Sequence, residues 1–251
     1  MTVLLVRHAR STSNVARTLA GRSPGVGLDP HGREQAHDLV DRLAALPIRR
    51  IVRSPLQRCA ETITPLAAAL GLAQQVDERL SEVDYGSWTG RKLDELGGEP
   101  LWKVVQRHPS AAVFPGGEGL AQVQARALAA IRDHDRAVAQ EHGPGALWLA
   151  CSHGDVIKSV LADAVGSHLD QFQRLMVEPA SVSVVAYTPH LPVVSCMNHT
   201  DGALPPAKCN IMPAAVAVAT SAEHEQPEYD GMVGGAPGVA AGGPAEKAME
   251  V

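Results

Sequence analysis

Apolar positions along this chain follow two alternating patterns. Short continuous apolar runs, such as Thr2–Val6 (TVLLV) and Ala146–Cys151 (ALWLAC), have the length and composition of strands buried on both faces. Between such runs lie longer stretches in which apolar residues recur at the spacing of a helix face. Asp29 stands where it can cap a helix starting at Pro30 or His31, with Ala36, Leu39, Val40 and Leu43 on one face and Pro47 beyond its end. Arg50–Arg53 reads as a strand, Leu56–Leu70 as a helix stopped by Gly71, and Gln75–Asp77 as an edge strand. A long helix is predicted over Gly119–His142 and another over Asp155–Val165, with Ser181–Tyr187 and Val193–Cys196 as closing strands. Strands alternating with helices imply an α/β layer architecture around a mostly parallel sheet.

The pattern stops near Leu204. From Pro205 to Val251, 23 of 47 residues are Ala, Gly or Pro, too little apolar periodicity to offset the entropy of ordering. The expected organisation is therefore a folded domain over residues 1–204 and a mobile tail over 205–251. That tail carries six acidic and two basic residues, so of the net charge of −5 only −1 falls on the domain. No basic face of the kind that binds nucleic acid is expected. The apolar run Val3–Val6 is too short for the core of a secretory signal, and no run reaches the length of a membrane span. The four cysteines, at 59, 151, 196 and 209, form no C-x-x-C pair and suggest neither a zinc site nor a disulfide framework. The expectation is a soluble, cytoplasmic protein with reduced thiols and no membrane partner.

Three polar motifs each follow a predicted strand: RHARSTSN (Arg7–Asn14), RSPLQRCAET (Arg53–Thr62) and SHG (Ser152–Gly154). Ligands of open α/β sheets collect at the carboxyl ends of the strands, so Arg7, His8, Arg58 and His153 are expected on one rim. Two arginines and two histidines make a cationic pocket suited to a phosphate ester, because guanidinium groups match phosphate oxygens. A histidine there can be the nucleophile, and arginines can stabilise the transferring group without a metal or other cofactor. A proton donor for the leaving group is still needed. Glu82, in LSEVDYGSWTG, is preferred, with Asp155 as its rival. Taken alone, His8 would read as a satisfied core histidine, Arg58 as a solvated helix residue and Glu82 as a surface carboxylate. Their convergence on strand ends argues otherwise. The remaining histidines lack metal-ligand spacing and read as solvated or structural, Tyr85 and Trp88 as packing for the acid loop, and Gly116 and Gly117 as a turn before a helix.

These motifs resemble the histidine phosphatase superfamily, the phosphoglycerate mutase-like family. RHARSTSN is similar to R-H-G-x-S-x-x-N. The match continues through S-P-L-x-R-x-x-E-T at Ser54–Thr62, the glutamate segment ending in Gly86 and Gly90, P-G-G-E at Pro115–Glu118, and S-H-G, all in family order over residues 2–204. The resemblance implies a three-layer α/β/α fold and a phosphohistidine intermediate on His8. It implies a phosphate pocket of Arg7, Arg58 and His153, Glu82 as proton donor, and Ser11, Asn14, Gly21 and Gly154 as further phosphate or substrate contacts. It also makes a homodimer one candidate assembly. The family's glycine after the nucleophile is Ala9 here. Of three function classes, a non-catalytic phospho-ligand binder is disfavoured, because every pocket residue is present. Between phosphatase and phosphomutase, two departures favour the phosphatase. The arginine that follows the acid in the mutases is Val83 here, and the segment before the long helix is short, with only Arg91, Lys92, Lys103 and Arg107 as cations. Ser87–Phe114 is expected to cap the pocket and set specificity for a small phosphorylated metabolite.

Overall fold

The computed structural model describes residues 1–205. All but the first residue of the expected tail, 205–251, lies outside the described residues. Six strands form one sheet: β1 (Thr2–Arg7), β2 (Ile48–Arg53), β3 (Gln74–Val76), β4 (Leu147–Ser152), β5 (Val182–Tyr187) and β6 (Pro192–His199), in the order β3-β2-β4-β1-β5-β6. The helices are α1 (Thr12–Val15), α2 (Pro30–Leu43), α3 (Gln57–Leu70), α4 (Leu93–Leu96), α5 (Pro100–Arg107), α6 (Leu120–His142) and α7 (Gly154–Ala164).

The period-two alternation of strand side chains builds the layers. From β1, Val3 and Leu5 face one side with Trp148 and Ala150 of β4, against Val123 and Ile131 of α6 and Val160 and Leu161 of α7. Leu4 and Val6 face the other side with Leu147 and Leu149, against Leu39 and Leu43 of α2 and Ile63 and Leu66 of α3. Both sides are sealed, giving the three-layer α/β/α arrangement. β1 is central and has four consecutive core residues, which is why its sequence shows a run instead of alternation.

The sheet is mostly parallel, as expected, and two details lie beyond the sequence reading. The sheet is mixed: β1, β2, β3 and β4 pair in parallel, whereas β5 is antiparallel to β1 and β6 antiparallel to β5. Burial on both faces produces the same apolar run in either direction, so the pattern carried no information on strand sense. On α2, Asp29 caps as expected by accepting from the Gly32 amide at 2.7 Å. The buried face, however, includes Arg42, while Val40 is only half-buried. Arg42 is accommodated because its guanidinium donates to the carbonyls of Ala180 and His199 at 2.8 and 2.6 Å.

The parallel register sets the position of the chemistry. Arg7 lies opposite Ser152 and Arg53 opposite Cys151, so β1, β2 and β4 end together on one edge. The His8 amide donates to the Ser152 carbonyl at 2.9 Å, and Ser54 N–H donates to Cys151 O at 3.0 Å, tying the three strand ends together.

Candidate active site

His8, Arg58 and His153 each extend from one of these tied strand ends. His8 directly follows β1, Arg58 lies in the first turn of α3 after β2, and His153 caps α7 after β4. All three are buried, at 3%, 2% and 0% exposure. Thr62 joins two motifs: its hydroxyl accepts from the Ala9 amide at 2.9 Å and donates to the Arg58 carbonyl at 2.6 Å. Ala9 itself lies outside the left-handed backbone region and packs its methyl with Leu28, Ala36 and Ala180. That packing explains why a side chain is tolerated where the resemblance expects glycine.

The protonation of His8 follows from its partners. Its Nδ1 lies 2.8 Å from the Ala9 carbonyl, which can only accept, so the ring hydrogen sits on Nδ1. Nε2 then carries the lone pair, and the Nε–H of Arg58 approaches it at 3.3 Å. Burial first, and then the charges of Arg58 and Arg7, hold the imidazole well below the usual histidine range, so it is neutral near pH 7. A neutral imidazole with a free in-plane lone pair is a nucleophile.

His153 sits beside it, with ring centroids 5.2 Å apart, and is likewise kept neutral, by burial and then by Arg58. Its Nε2 is 2.8 Å from the Ser54 hydroxyl oxygen, which already accepts from the Leu56 amide at 3.3 Å. We assign Ser54 as the donor in this pair, which leaves the His153 hydrogen on Nδ1. That Nδ1, Arg7 Nε and Arg58 Nη1 are all buried and make no protein hydrogen bond. Buried unpaired donors are costly, and three from separate elements in one place make a receptor for a multiply accepting anion such as phosphate. Arg7 is otherwise fixed through Nη1 to Val177 O at 2.6 Å, and Arg58 through Nη2 to Gly21 O at 2.9 Å. The N-terminus of α7 adds its own partial positive charge at Gly154. A Cβ on Gly154 would sit 3.4 Å from Arg7 Nε, an ordinary contact, so Gly154 packs directly beside the Arg7 guanidinium.

Glu82 borders the same cavity, which has a volume of about 350 Å³. Burial and then the charge of Asp155 raise its carboxyl to about 7. Asp155 is engaged elsewhere: the Tyr85 hydroxyl donates to its Oδ2 at 2.9 Å. Ser11, Asn14 and Gly21 line the cavity too. Ser11 and Asn14 bind each other, hydroxyl to Oδ1 at 2.9 Å, and cap the short α1.

Sequence reasoning passed over the residues that hold the acid loop. Arg126, in the second turn of α6, donates to the carbonyls of Arg79, Ser81 and Glu82. Glu118 binds Arg126 at 2.6 Å and Arg22 at 2.8 Å, and accepts from the Asp84 amide at 2.9 Å. The P-G-G-E motif was the visible signal for this clamp, although its turn reading missed the contact. As expected of a cap, the segment Ser87–Phe114 lends Trp88, Leu93, Trp102, Val105, Gln106 and Phe114 to the cavity wall. Its four cations contribute no lining, and Arg91 is tied to Glu99 at 2.7 Å.

A family model, the histidine phosphatase superfamily (branch 1), matches residues 3–200. The chain belongs to this superfamily. Among curated histidine phosphatase relatives, a probable phosphoglycerate mutase GpmB of Yersinia pestis is 31% identical over 187 residues, covering 74% of this chain and 84% of that one. Among solved structures, Bacillus stearothermophilus YhfR is 26% identical with a TM-score of 0.72, covering 80% of this chain and 98% of that one. The mycobacterial glucosyl-3-phosphoglycerate phosphatase Rv2419c, in complex with VO3, shares the fold with a TM-score of 0.72 at 24% identity, over 79% of this chain and 98% of that one.

Proposed function

We propose that this histidine phosphatase family member hydrolyses a small phosphomonoester, without a metal, through a phosphohistidine on His8. The observation that carries this reading is the pairing of a neutral His8, its Nε2 free of a proton, with a carboxyl raised to about 7 in the same cavity. In the first step His8 Nε2 attacks phosphorus and the ester P–O bond breaks. Arg58 transfers its Nε hydrogen bond from the imidazole to a phosphoryl oxygen, joined by Arg7 and by His153 Nδ1–H, which stabilise the charge on the transferring group. Protonated Glu82 gives its proton to the departing alkoxide. In the second step the Glu82 carboxylate takes a proton from water, whose oxygen attacks phosphorus and breaks the P–N bond. Phosphate leaves, and both His8 and Glu82 return to their starting states.

The second reading is a phosphomutase, favoured by the name of the Yersinia relative. Against it stand the buried apolar Val83 directly after the acid and the absence of the cap's four cations from the cavity lining. The deciding experiment is rapid-quench labelling with a panel of phosphate esters, run beside a mutase-coupled assay, in wild type and His8→Ala. The hydrolase reading expects an acid-labile, base-stable phosphoenzyme and released phosphate in wild type, and neither in His8→Ala. Transfer to an acceptor in place of phosphate release would establish the mutase.

A further inference from the structure

Of the cations lining the cavity among the described residues, Arg7 and Arg58 serve the phosphate end, and Lys158 is the third. Lys158 lies on α7, one turn beyond Gly154. Long helical side chains lean back toward the N-terminal turn, so this position points toward the site. Its ammonium donates to Gln173 Oε1 at 3.2 Å and stands 5.8 Å from the Phe172 ring centroid. Among the described residues it forms no ion pair with a carboxylate, and Asp155, one turn back on the same helix, is held by Tyr85 instead. An ammonium has three donors, and Gln173 takes one. Nearby, Trp102 and Val105 of the cap supply apolar wall, with Trp102 stacked on Trp88.

We infer that Lys158, supported by Gln173, is a specificity subsite for a second anionic group, so that the substrate is a phosphomonoester carrying a carboxylate or further phosphate across a short, partly apolar spacer. This rests on the hydrolase reading above. The transferred phosphate occupies the donors of Arg7, Arg58 and His153, and Lys158 remains for the distal charge. A partly buried ammonium without a carboxylate is a better anion receptor than one already paired, because no internal partner must be displaced.

The test compares an alkyl phosphate with its ω-carboxyl and ω-phosphate analogues of equal chain length, in wild type, Lys158→Met and Lys158→Arg. The readout is the ratio of kcat/KM values between charged and uncharged esters. In wild type at least one charged analogue should be favoured by roughly tenfold, the worth of a charge-assisted hydrogen bond, through KM. Lys158→Met should bring the ratio near one, and Lys158→Arg should restore part of it. No preference in wild type, or a preference that survives in Lys158→Met, overturns the subsite while leaving the hydrolase reading intact. Equal losses on all esters in Lys158→Met, with a lowered unfolding midpoint, would mean that Lys158 only props the Phe172–Gln173 segment. Failure of wild type to hydrolyse any of the esters or p-nitrophenyl phosphate overturns the hydrolase reading, and the subsite with it.

Discussion

Glu82 Oε2 lies 3.8 Å from His153 Nδ1, and this contact is not an ion pair near neutrality. The ring of His153 is held neutral by burial and by the guanidinium of Arg58, so it offers Glu82 no positive charge. Glu82 therefore keeps its proton to about pH 7 under the combined effect of burial and Asp155. Two neutral groups, one a potential acid and one a hydrogen-bond donor, therefore lie side by side.

This arrangement makes the leaving group the variable that exposes Glu82. Glu82→Gln should slow phosphorylation of the enzyme by an alkyl ester by roughly 10²–10⁴-fold, the usual worth of general acid catalysis. An aryl ester with an acidic phenol needs little protonation and should lose far less. Rapid-quench rates for both esters decide the matter. Equal losses would transfer the acid role to Asp155.

In the proposed mechanism the same carboxyl should set the alkaline limb of the rate profile. Phosphorylation by an alkyl ester should fall as pH rises through about 7, where Glu82 loses its proton. The lowered His8 keeps its nucleophile available down to well below 6.5, so the optimum lies on the acid side of neutrality. In Glu82→Gln the alkaline fall should disappear from the residual single-turnover rate. A fall that persists at the same pH in the variant would remove Glu82 as its cause.

Stability should carry the complementary signature. Below about pH 4.5, Glu82 is protonated folded and unfolded, and it imposes no penalty. Between there and about 7 the folded chain retains a proton that the unfolded chain has released, so the favourable contribution declines as pH rises. Glu82→Gln should thus be more stable than wild type near pH 8, by on the order of 1–3 kcal/mol, and nearly equal to it near pH 4. His8 and His153 act in the opposite sense, losing stability as pH falls, but they are common to both proteins and cancel in the difference. Denaturant unfolding at the two pH values measures it.

What the sequence could reveal was what it encodes locally. His8, Arg58 and His153 each lie within a few residues of a strand end, so strand recognition alone placed them together. Tyr85 and Asp155 are separated by 70 residues, and Arg126 reaches the Arg79 carbonyl across 47. Neither contact leaves any periodic trace, and Arg126, one of three arginines on α6, looks like an ordinary surface residue. The sense of β5 was hidden for a related reason: burial determines an apolar run, while direction depends on the return path of the chain. Lys158 was passed over because the fourth residue after Gly154 gains meaning only when Gln173 and the cap close around it.

In the proposed mechanism the transferring phosphate meets positive charge from Arg7, Arg58 and the N-terminus of α7, so turnover should survive exhaustive chelation. Phosphate release measured after treatment with a chelator, with and without added divalent ions, provides the check. Loss of activity restored only by a divalent ion would contradict this electrostatic account.

The acid loop crosses the P-G-G-E turn backbone against backbone. The Glu118 amide donates to Asp84 O at 2.9 Å and the Ser87 amide to Pro115 O at 2.9 Å, so two backbones run side by side. A Cβ on Gly117 would fall 2.2 Å from Asp84 O, and one on Gly86 would fall 2.1 Å from Pro115 O. Neither obstacle is a flexible side chain that could swing away. Gly117→Ala must therefore separate the loops, breaking the Glu118–Asp84 bond and drawing Glu118 away from Arg126. The expected cost is about 2–4 kcal/mol, the range for overpacking combined with a lost buried contact. Because the displaced segment carries Glu82, turnover of an alkyl ester should drop by more than that of an aryl ester even at temperatures where the variant is folded. Gly116→Ala is the control for bulk, since a Cβ there meets nothing within 4 Å, although its φ of +71° adds a smaller backbone strain. Unfolding midpoints and the alkyl-to-aryl rate ratio for both variants test the idea. If Gly117→Ala retains the wild-type ratio and stability, the crossing does not position the proton donor.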